Sequence, residues 1–245
     1  IEMQMAYIRS LARGGALYDQ KTIGTLNLNA SQFVKTKAVQ DNLTFNNKVY
    51  ASTFGFPDVA IMGVYANTSL LSRYGLDNVQ TLYKNNKWTW TNFERLAKSA
   101  TRNTGTSAET WGIGCDQHLV GMSLTAAAGG TVTRSGSTYT VAMASPKGVD
   151  AMIWVRKLFI TEKCYNYYAA GLATGYPDFA AGKLAFYPTY LSHVSSFAST
   201  MTDDFTFLPF PKETEQSNYV NGVYDAKMFA VPKTVKNAKL VGAVY

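Results

Sequence analysis

Side chains able to do chemistry are sparse along the 245 residues. His118 and His193 are the only histidines, and they stand far apart. Neither belongs to an HExxH pattern, and the chain has no Gly-x-Ser-x-Gly turn and no glycine-rich phosphate loop. Paired carboxylates could serve glycoside hydrolysis, one as acid and the other as base or nucleophile. Asp58, Asp116 and Asp225 are the candidates, and no spacing singles out two of them. Binding asks less of a sequence. A neutral sugar offers apolar faces and a ring of hydroxyls. Its site needs aromatic platforms and planar polar groups, because each buried polar group left unpaired is costly.

Five loops carry such groups. Tyr7, with Gln4 nearby, follows the first expected strand, although a surface tyrosine fits as well. Asp58 follows FGFP and also suits a turn. Asp116, Gln117 and His118 follow TWGIG, where Asp116 would equally cap a helix. Tyr187 and Tyr190 follow KLAF. Tyr224 and Asp225 end the run Asn221-Gly222-Val223-Tyr224-Asp225, in which Gly222 suggests a close backbone approach. In α/β sheets, residues of this kind occupy the loops after strand ends. His193, one turn into the following helix, reads as a structural histidine.

The elements that must position these loops come from periodicity. Residues 1–8 read as a strand running into a loop, and SLARGGALYD as a short helix. KVYASTFGFPDVAIMGVYAN gives two β-like runs around a Gly-Phe-Pro break. SLLSRYGLDN is a helix closed by Gly75. TWGIG is a strand, HLVGMSLTAAAGG a helix and TRSGSTYTVAM a hairpin. Ser145 and Pro146 open a helix with Val149, Met152, Ile153, Val155 and Phe159 as its apolar stripe. A short helix over TGYPDFAAG, the strand KLAFY and a helix begun near Pro188 follow. DFTFLPFPK and YDAKMFAVPK are strands, and TVKNAKLVGAVY starts a last helix. Strands alternate with helices, so the fold class is α/β.

Between these lies KWTWTNFERLAKSAT, residues 87–101. Trp90, Phe93, Leu96, Ala97 and Ala100 form a helical stripe, with Glu94, Arg95 and Lys98 opposite. Thr89 as N-cap would make Trp88 and Phe93 a hydrophobic staple; Thr91 as cap would pair with Glu94 in a capping box. In either register both tryptophans fasten the helix.

Composition narrows the field further. Hydrophobic residues make up 47% of the chain, enough for a real core, while charged residues make up only 16%. A polar but weakly charged surface rich in tyrosine suits neutral, hydroxyl-rich ligands. The net charge of +7 is spread over scattered Lys and Arg, and no nucleic-acid-binding motif accompanies it. Cys115 and Cys164 lack metal-ligand spacing. A disulfide, as in an exported protein, and two buried thiols are both open. No apolar run is long enough to span a bilayer.

Several phrases stand in a telling order. NKVYASTFGFP is followed by IMGVYANTSLLSRYGLDN, then KWTWTNFERLAKSAT, TWGIG and LTAAAGG. AGKLAFYPTY, FTFLPFPK and AVPKTVKNAKLV complete the series. Nearly the whole chain resembles the extracellular solute-binding proteins of ABC importers, the group that includes maltose-binding protein. Two departures are Tyr65-Ala66-Asn67 in place of Tyr-Asn, and Tyr187-Pro188-Thr189-Tyr190 in place of Gly-x-Trp.

The resemblance implies a two-lobed, periplasmic-binding-protein-like fold (class II) with a ligand held between the lobes. Residues 1–59 and 226–245 are expected in lobe one and 60–225 in lobe two, with crossings near 58–64 and 220–226. Both chain ends read as cuts, so an internal fragment with a truncated first lobe is expected. Tyr190 takes the neighbourhood of the family's ligand-stacking tryptophan. The expected protein is a monomeric binder that carries a sugar to a membrane permease. It would use no cofactor and no catalysis, outside the cell, lipid-anchored or periplasmic. A carbohydrate-active enzyme or a surface adhesin using Asp58, Asp116 and Asp225 is the rival.

Overall fold

The computed structural model describes residues 1–34, 36–41, 43–53, 59–114, 118–130, 132–135, 138–166 and 175–244. Of residues 4–6, 34, 38–39, 59–60, 118, 133–135 and 223–227 the backbone alone is described. Along the chain come β1 (Glu2–Gln4), α1 (Met5–Arg13), α2 (Ser31–Val34), α3 (Lys37–Asp41), β2 (Thr44–Phe45) and β3 (Lys48–Val49). Next are β4 (Val59–Asn67), α4 (Thr68–Arg73), α5 (Val79–Lys84), α6 (Trp90–Ala100), β5 (Trp111–Ile113) and α7 (His118–Ala128). The hairpin β6 (Val132–Ser135) and β7 (Thr138–Val141) precedes α8 (Pro146–Arg156) and α9 (Gly175–Ala180). Last come β8 (Leu184–Tyr190), α10 (Val194–Thr200), β9 (Phe205–Leu208), β10 (Val223–Phe229) and α11 (Ala238–Val244). The chain divides into two compact units. Unit one is Ile1–Ala60 with Val223–Tyr245, and unit two is Ile61–Gly222.

In unit one β1 runs antiparallel to β10, with Glu2 opposite Phe229 and Gln4 opposite Lys227. Ile8, Leu17, Leu43, Ala51, Met228 and Ala230 form its core. Helix α1 starts at Met5, straight after β1, where sequence reading expects a loop through residue 8. The reason is its stripe: Ile8 and Ala12 are buried and Leu11 packs against the same core, one helical face from the start.

Unit two is a sheet in the order β9-β4-β8-β5, covered on both faces. Strand β4 pairs antiparallel with β8 and with β9, and β5 pairs parallel with β8. One face joins Met62, Val64, Phe186 and Leu208 to α6, α7 and α8 through Trp90, Phe93, Leu124 and Trp154. On the other face Tyr65 and Tyr187 meet Phe179 and Phe197 from α9 and α10. Pro188 lies within β8, opposite Val64, and not at the head of a helix. Strand β5 last pairs with β8 at Phe186, so beyond it one side of β8 asks no N–H of Pro188. The following helix starts later, at Val194, after the turn Leu191–His193.

Capping is as local chemistry requires. Thr89 caps α6, its hydroxyl accepting from the Asn92 N–H, and the rings of Trp88 and Phe93 close the staple at 5.7 Å. Gly75, at φ +67°, ends α4 in a Schellman motif: Leu76 N–H donates to Leu71 C=O and Gly75 N–H to Ser72 C=O. Ser145 caps α8 ahead of Pro146. The buried face of α8, however, is Gly148, Ala151, Trp154 and Val155. Val149 and Ile153, expected in the core, are 45% and 60% exposed. A Cβ on Gly148 would lie 1.8 Å from the Ala142 carbonyl, so small residues let α8 settle on the Ala142–Ala144 turn. That close approach turns its larger aliphatic residues outward.

Polar ties complete the unit. Asp203 receives two bonds from the Arg73 guanidinium (2.6 and 2.9 Å) and one from the Asn67 amide (2.8 Å). Lys212, 1% exposed, donates to Asn86 Oδ1 and the Glu215 carbonyl, each at 2.6 Å, and lies over the Tyr219 ring. Cys164 is a free, fully buried thiol that donates to the Leu158 carbonyl. Burial pushes its pKa up to about 12.

Candidate binding site

The antiparallel register of β4 on β8 places Met62 opposite Tyr190, the last residue of β8. Strand β5 runs parallel to β8, so its own carboxyl end, at Ile113, points the same way as that of β8. Loops beyond the carboxyl ends of parallel strands are where α/β sheets hold ligands. The Met62 N–H donates to the Gly222 carbonyl at 3.0 Å, which brings the run before β10 to this edge. A Cβ on Gly222 would meet Met62 Sδ and Thr125 Oγ1 at 3.7 Å, so the backbone here lies close over β4 and α7.

Tyr190 is half-buried, with one side packed on the core. Beyond it the chain turns through Leu191–His193, and the Tyr65 hydroxyl donates to the Leu191 carbonyl at 2.7 Å. Burial raises the Tyr65 phenol well above its ordinary pKa, so it remains a neutral donor. This anchored turn sets the His193 ring 6.1 Å from Tyr190 and 5.8 Å from Tyr176. Tyr176 in turn stacks on buried Phe197 at 4.7 Å. The result is a wall of two tyrosines and a histidine, backed by apolar core. Such rings offer flat apolar faces with polar rims, suited to stacking and hydrogen bonding in one contact.

The candidates read from the sequence fall in different places. Tyr190 lies at the wall, beside His193, which the sequence reads as structural; Tyr187 does not, because it is 1% exposed and packs inward against Phe179 and Phe197. Tyr7 projects from α1 of unit one, 60% exposed, on a helix and not in a loop. Tyr224 and Asp225 belong to β10, where the backbone alone is described, and His118 opens α7 in the same way. Asp58, Asp116 and Gln117 lie outside the described residues. Tyr176 was not foreseen. It reaches the wall only through the packing of α9 on α10, and no local pattern around TGYPDF marks it.

The sequence pattern of the bacterial extracellular solute-binding proteins matches residues 5–244. The chain belongs to that family. No curated protein matches it. Among solved structures it resembles UgpB from Mycobacterium tuberculosis in complex with glycerophosphocholine, with TM-score 0.71 and 15% identity, over 100% of this chain and 59% of that one. The ABC substrate-binding protein Lmo0181 from Listeria monocytogenes, in complex with cycloalternan, matches with TM-score 0.68 and 16% identity over 99% and 59% of the two chains. UspC of M. tuberculosis gives 0.68 and 17% over 99% and 61%. The fold is therefore that of the periplasmic binding proteins, and the chain spans about three fifths of the length of these structures.

Proposed function

We propose that this protein binds a neutral, hydroxyl-rich solute, a carbohydrate and more specifically an oligosaccharide, and delivers it to the membrane permease of an ABC importer. The observation that carries this reading is the Tyr190 wall: a half-exposed ring at a strand end, flanked by His193 and Tyr176. Family membership supports binding without turnover, in a protein working outside the cell, lipid-anchored or periplasmic. Lmo0181, solved with cycloalternan, supports the ligand class. Asp58, Asp116, Gln117, His118, Tyr224 and Asp225 are the polar groups proposed to meet the hydroxyls, with Tyr7 as a further aromatic contact. Closure would hinge where the chain passes between units, at residues 60–61 and 222–223. No cofactor enters this mechanism.

A thermal-shift screen against mono- and oligosaccharides tests it. A ligand at a hundred times its Kd adds about 2.7 kcal/mol, enough to move Tm by several degrees. The expected result is a shift with one sugar class, with the sugar recovered intact. Tyr190→Ala should abolish that shift, read against the variant's own Tm, which falls modestly because one side of the ring packs on the core. Hydrolysis of the sugar, or no shift with any sugar, would overturn the reading.

A further inference from the structure

Asn221 and Gly222 form the single Asn-Gly pair in the chain. An asparagine before glycine can react with itself, because the next main-chain nitrogen and the side-chain carbonyl carbon can close a five-membered ring. A side chain on the following residue hinders that closure, and glycine has none. A fold suppresses the reaction by holding the asparagine in regular structure or the following N–H in a hydrogen bond. Neither restraint operates at Asn221. It is exposed, in the irregular run before β10. Neither the Gly222 N–H nor the Asn221 side-chain amide donates to an acceptor among the described residues. Other asparagines are held differently. Asn67 and Asn78 cap α4 and α5, accepting from the Leu70 and Thr81 N–H groups. They precede Thr68 and Val79, whose branched Cβ atoms crowd any approach.

The surroundings also assist the reaction. The Phe210 main-chain N–H donates to Asn221 Oδ1 at 3.3 Å. Negative charge develops on that oxygen as the ring closes, so a fixed donor there stabilises the transition state in the manner of an oxyanion hole. The glycine itself is not demanded by the fold. Its φ lies outside the left-handed region, and a Cβ would meet Met62 Sδ and Thr125 Oγ1 at 3.7 Å, an ordinary contact. Alanine therefore fits at position 222, and what it would take away is the open approach to Asn221.

We propose that Asn221 is a self-modifying site, converting with time to aspartate and isoaspartate at the edge of the candidate binding site. The Gly222 nitrogen bonds to Asn221 Cγ while the Cγ–Nδ2 bond breaks, and the Gly222 proton leaves with Nδ2 as ammonia. Water then opens the cyclic imide at either carbonyl. One opening gives aspartate and the other isoaspartate, in which the main chain runs through the former side chain. Both products add a negative charge, and isoaspartate also lengthens the main chain by a methylene. The Gly222 carbonyl accepts from the Met62 N–H, and Met62 lies opposite Tyr190. The lengthening therefore falls beside Tyr190, immediately before the chain leaves unit two. This chemistry is independent of whether the bound solute is a sugar.

Ageing the whole chain in mildly alkaline buffer, followed by peptide mapping, tests the proposal with no solute present. The peptide containing residue 221 should gain the mass difference between an amide and an acid and separate into two chromatographic species. Its conversion should quicken as pH rises, because hydroxide takes up the Gly222 proton, and should incorporate heavy oxygen from labelled water. Gly222→Ala should slow conversion by about tenfold or more, with a Tm no lower than that of the wild type. In the isoaspartate fraction the Met62 N–H should exchange with solvent faster than in fresh protein. A folded chain that stays unmodified while the same chain in urea converts would overturn the proposal. So would Gly222→Ala converting at the wild-type rate, or isoaspartate at residue 221 with unchanged exchange at Met62.

Discussion

Trp88 and Trp90 look like ligand-gripping residues and are instead fasteners. Trp88 is fully buried, and its indole N–H donates to the Pro209 carbonyl at 2.8 Å. Trp90 lies flat on Trp154 of α8, with ring centroids 4.5 Å apart and planes within 6°. The pair therefore joins α6 to α8 across the core. Trp90→Ala should cost roughly 3–5 kcal/mol, the usual range for emptying a large buried aromatic site. Urea unfolding would measure it, and solute affinity should persist in the fraction that remains folded. The ligand-facing aromatic is Tyr190, and the difference between the two lies in environment, not residue type. Trp90 sits at the first turn of a helix whose whole stripe faces inward. Tyr190 stands at a strand end where the sheet stops covering it.

Elements are joined by a few polar ties whose behaviour can be forecast. Arg73 holds the Asp203 carboxyl below its ordinary pKa, with the Asn67 amide contributing in the same direction against partial desolvation. A carboxylate depressed in the folded state stabilises the fold fully above its unfolded pKa. That contribution is lost as pH falls through the folded value. Urea midpoints taken from neutrality down to about pH 3 should therefore decline for the wild type. Asp203→Asn should be less stable at neutrality and flatter in the acid range. A parallel decline in both would show that Asp203 does not link folding to pH. The Lys212 tie works differently, since neutral acceptors and a ring hold the ammonium. Lys212→Met should leave Asn86 and the Glu215 carbonyl unsatisfied and cost roughly 1–3 kcal/mol. Faster amide exchange confined to residues 212–219 would locate the loss, and unchanged exchange there would refute it.

Much of this architecture was legible because its signals are local. Thr89 with Trp88 and Phe93, Gly75 after α4, and Ser145 before Pro146 each fix an element boundary through contacts a few residues apart. The misreadings arose where distant packing decides. Pro188 suggested a helix start, yet the end of pairing with β5 at Phe186 lets it stay in a strand. The aliphatics of α8 suggested its core face, yet Gly148 and Ala151 won that side by allowing closer approach. At the site, the family resemblance pointed to Tyr190. Tyr176 and His193 join it only through folding of α9 and α10 around Phe197.

At the scale of the whole molecule, unit two is one continuous stretch with cores on both faces of its sheet, while unit one is assembled from two separate stretches. Cys164 lies inside the continuous one, beside Tyr165, Leu158 and the end of the helical segment, with no solvent contact. Only the thiolate attacks an alkylating reagent, and here the group is both covered and held protonated through the alkaline range. Its chemistry is therefore silent until unit two opens, which makes it a stopwatch built into the chain. The rate at which iodoacetamide marks this position, read by peptide mass, should equal the opening equilibrium multiplied by the rate for a free thiol. Saturating solute should slow that rate by the same factor by which it raises stability, so the affinity for the cargo could be timed from a single sulfur atom that never touches it. Prompt labelling in the native protein would show instead that unit two breathes locally around Cys164.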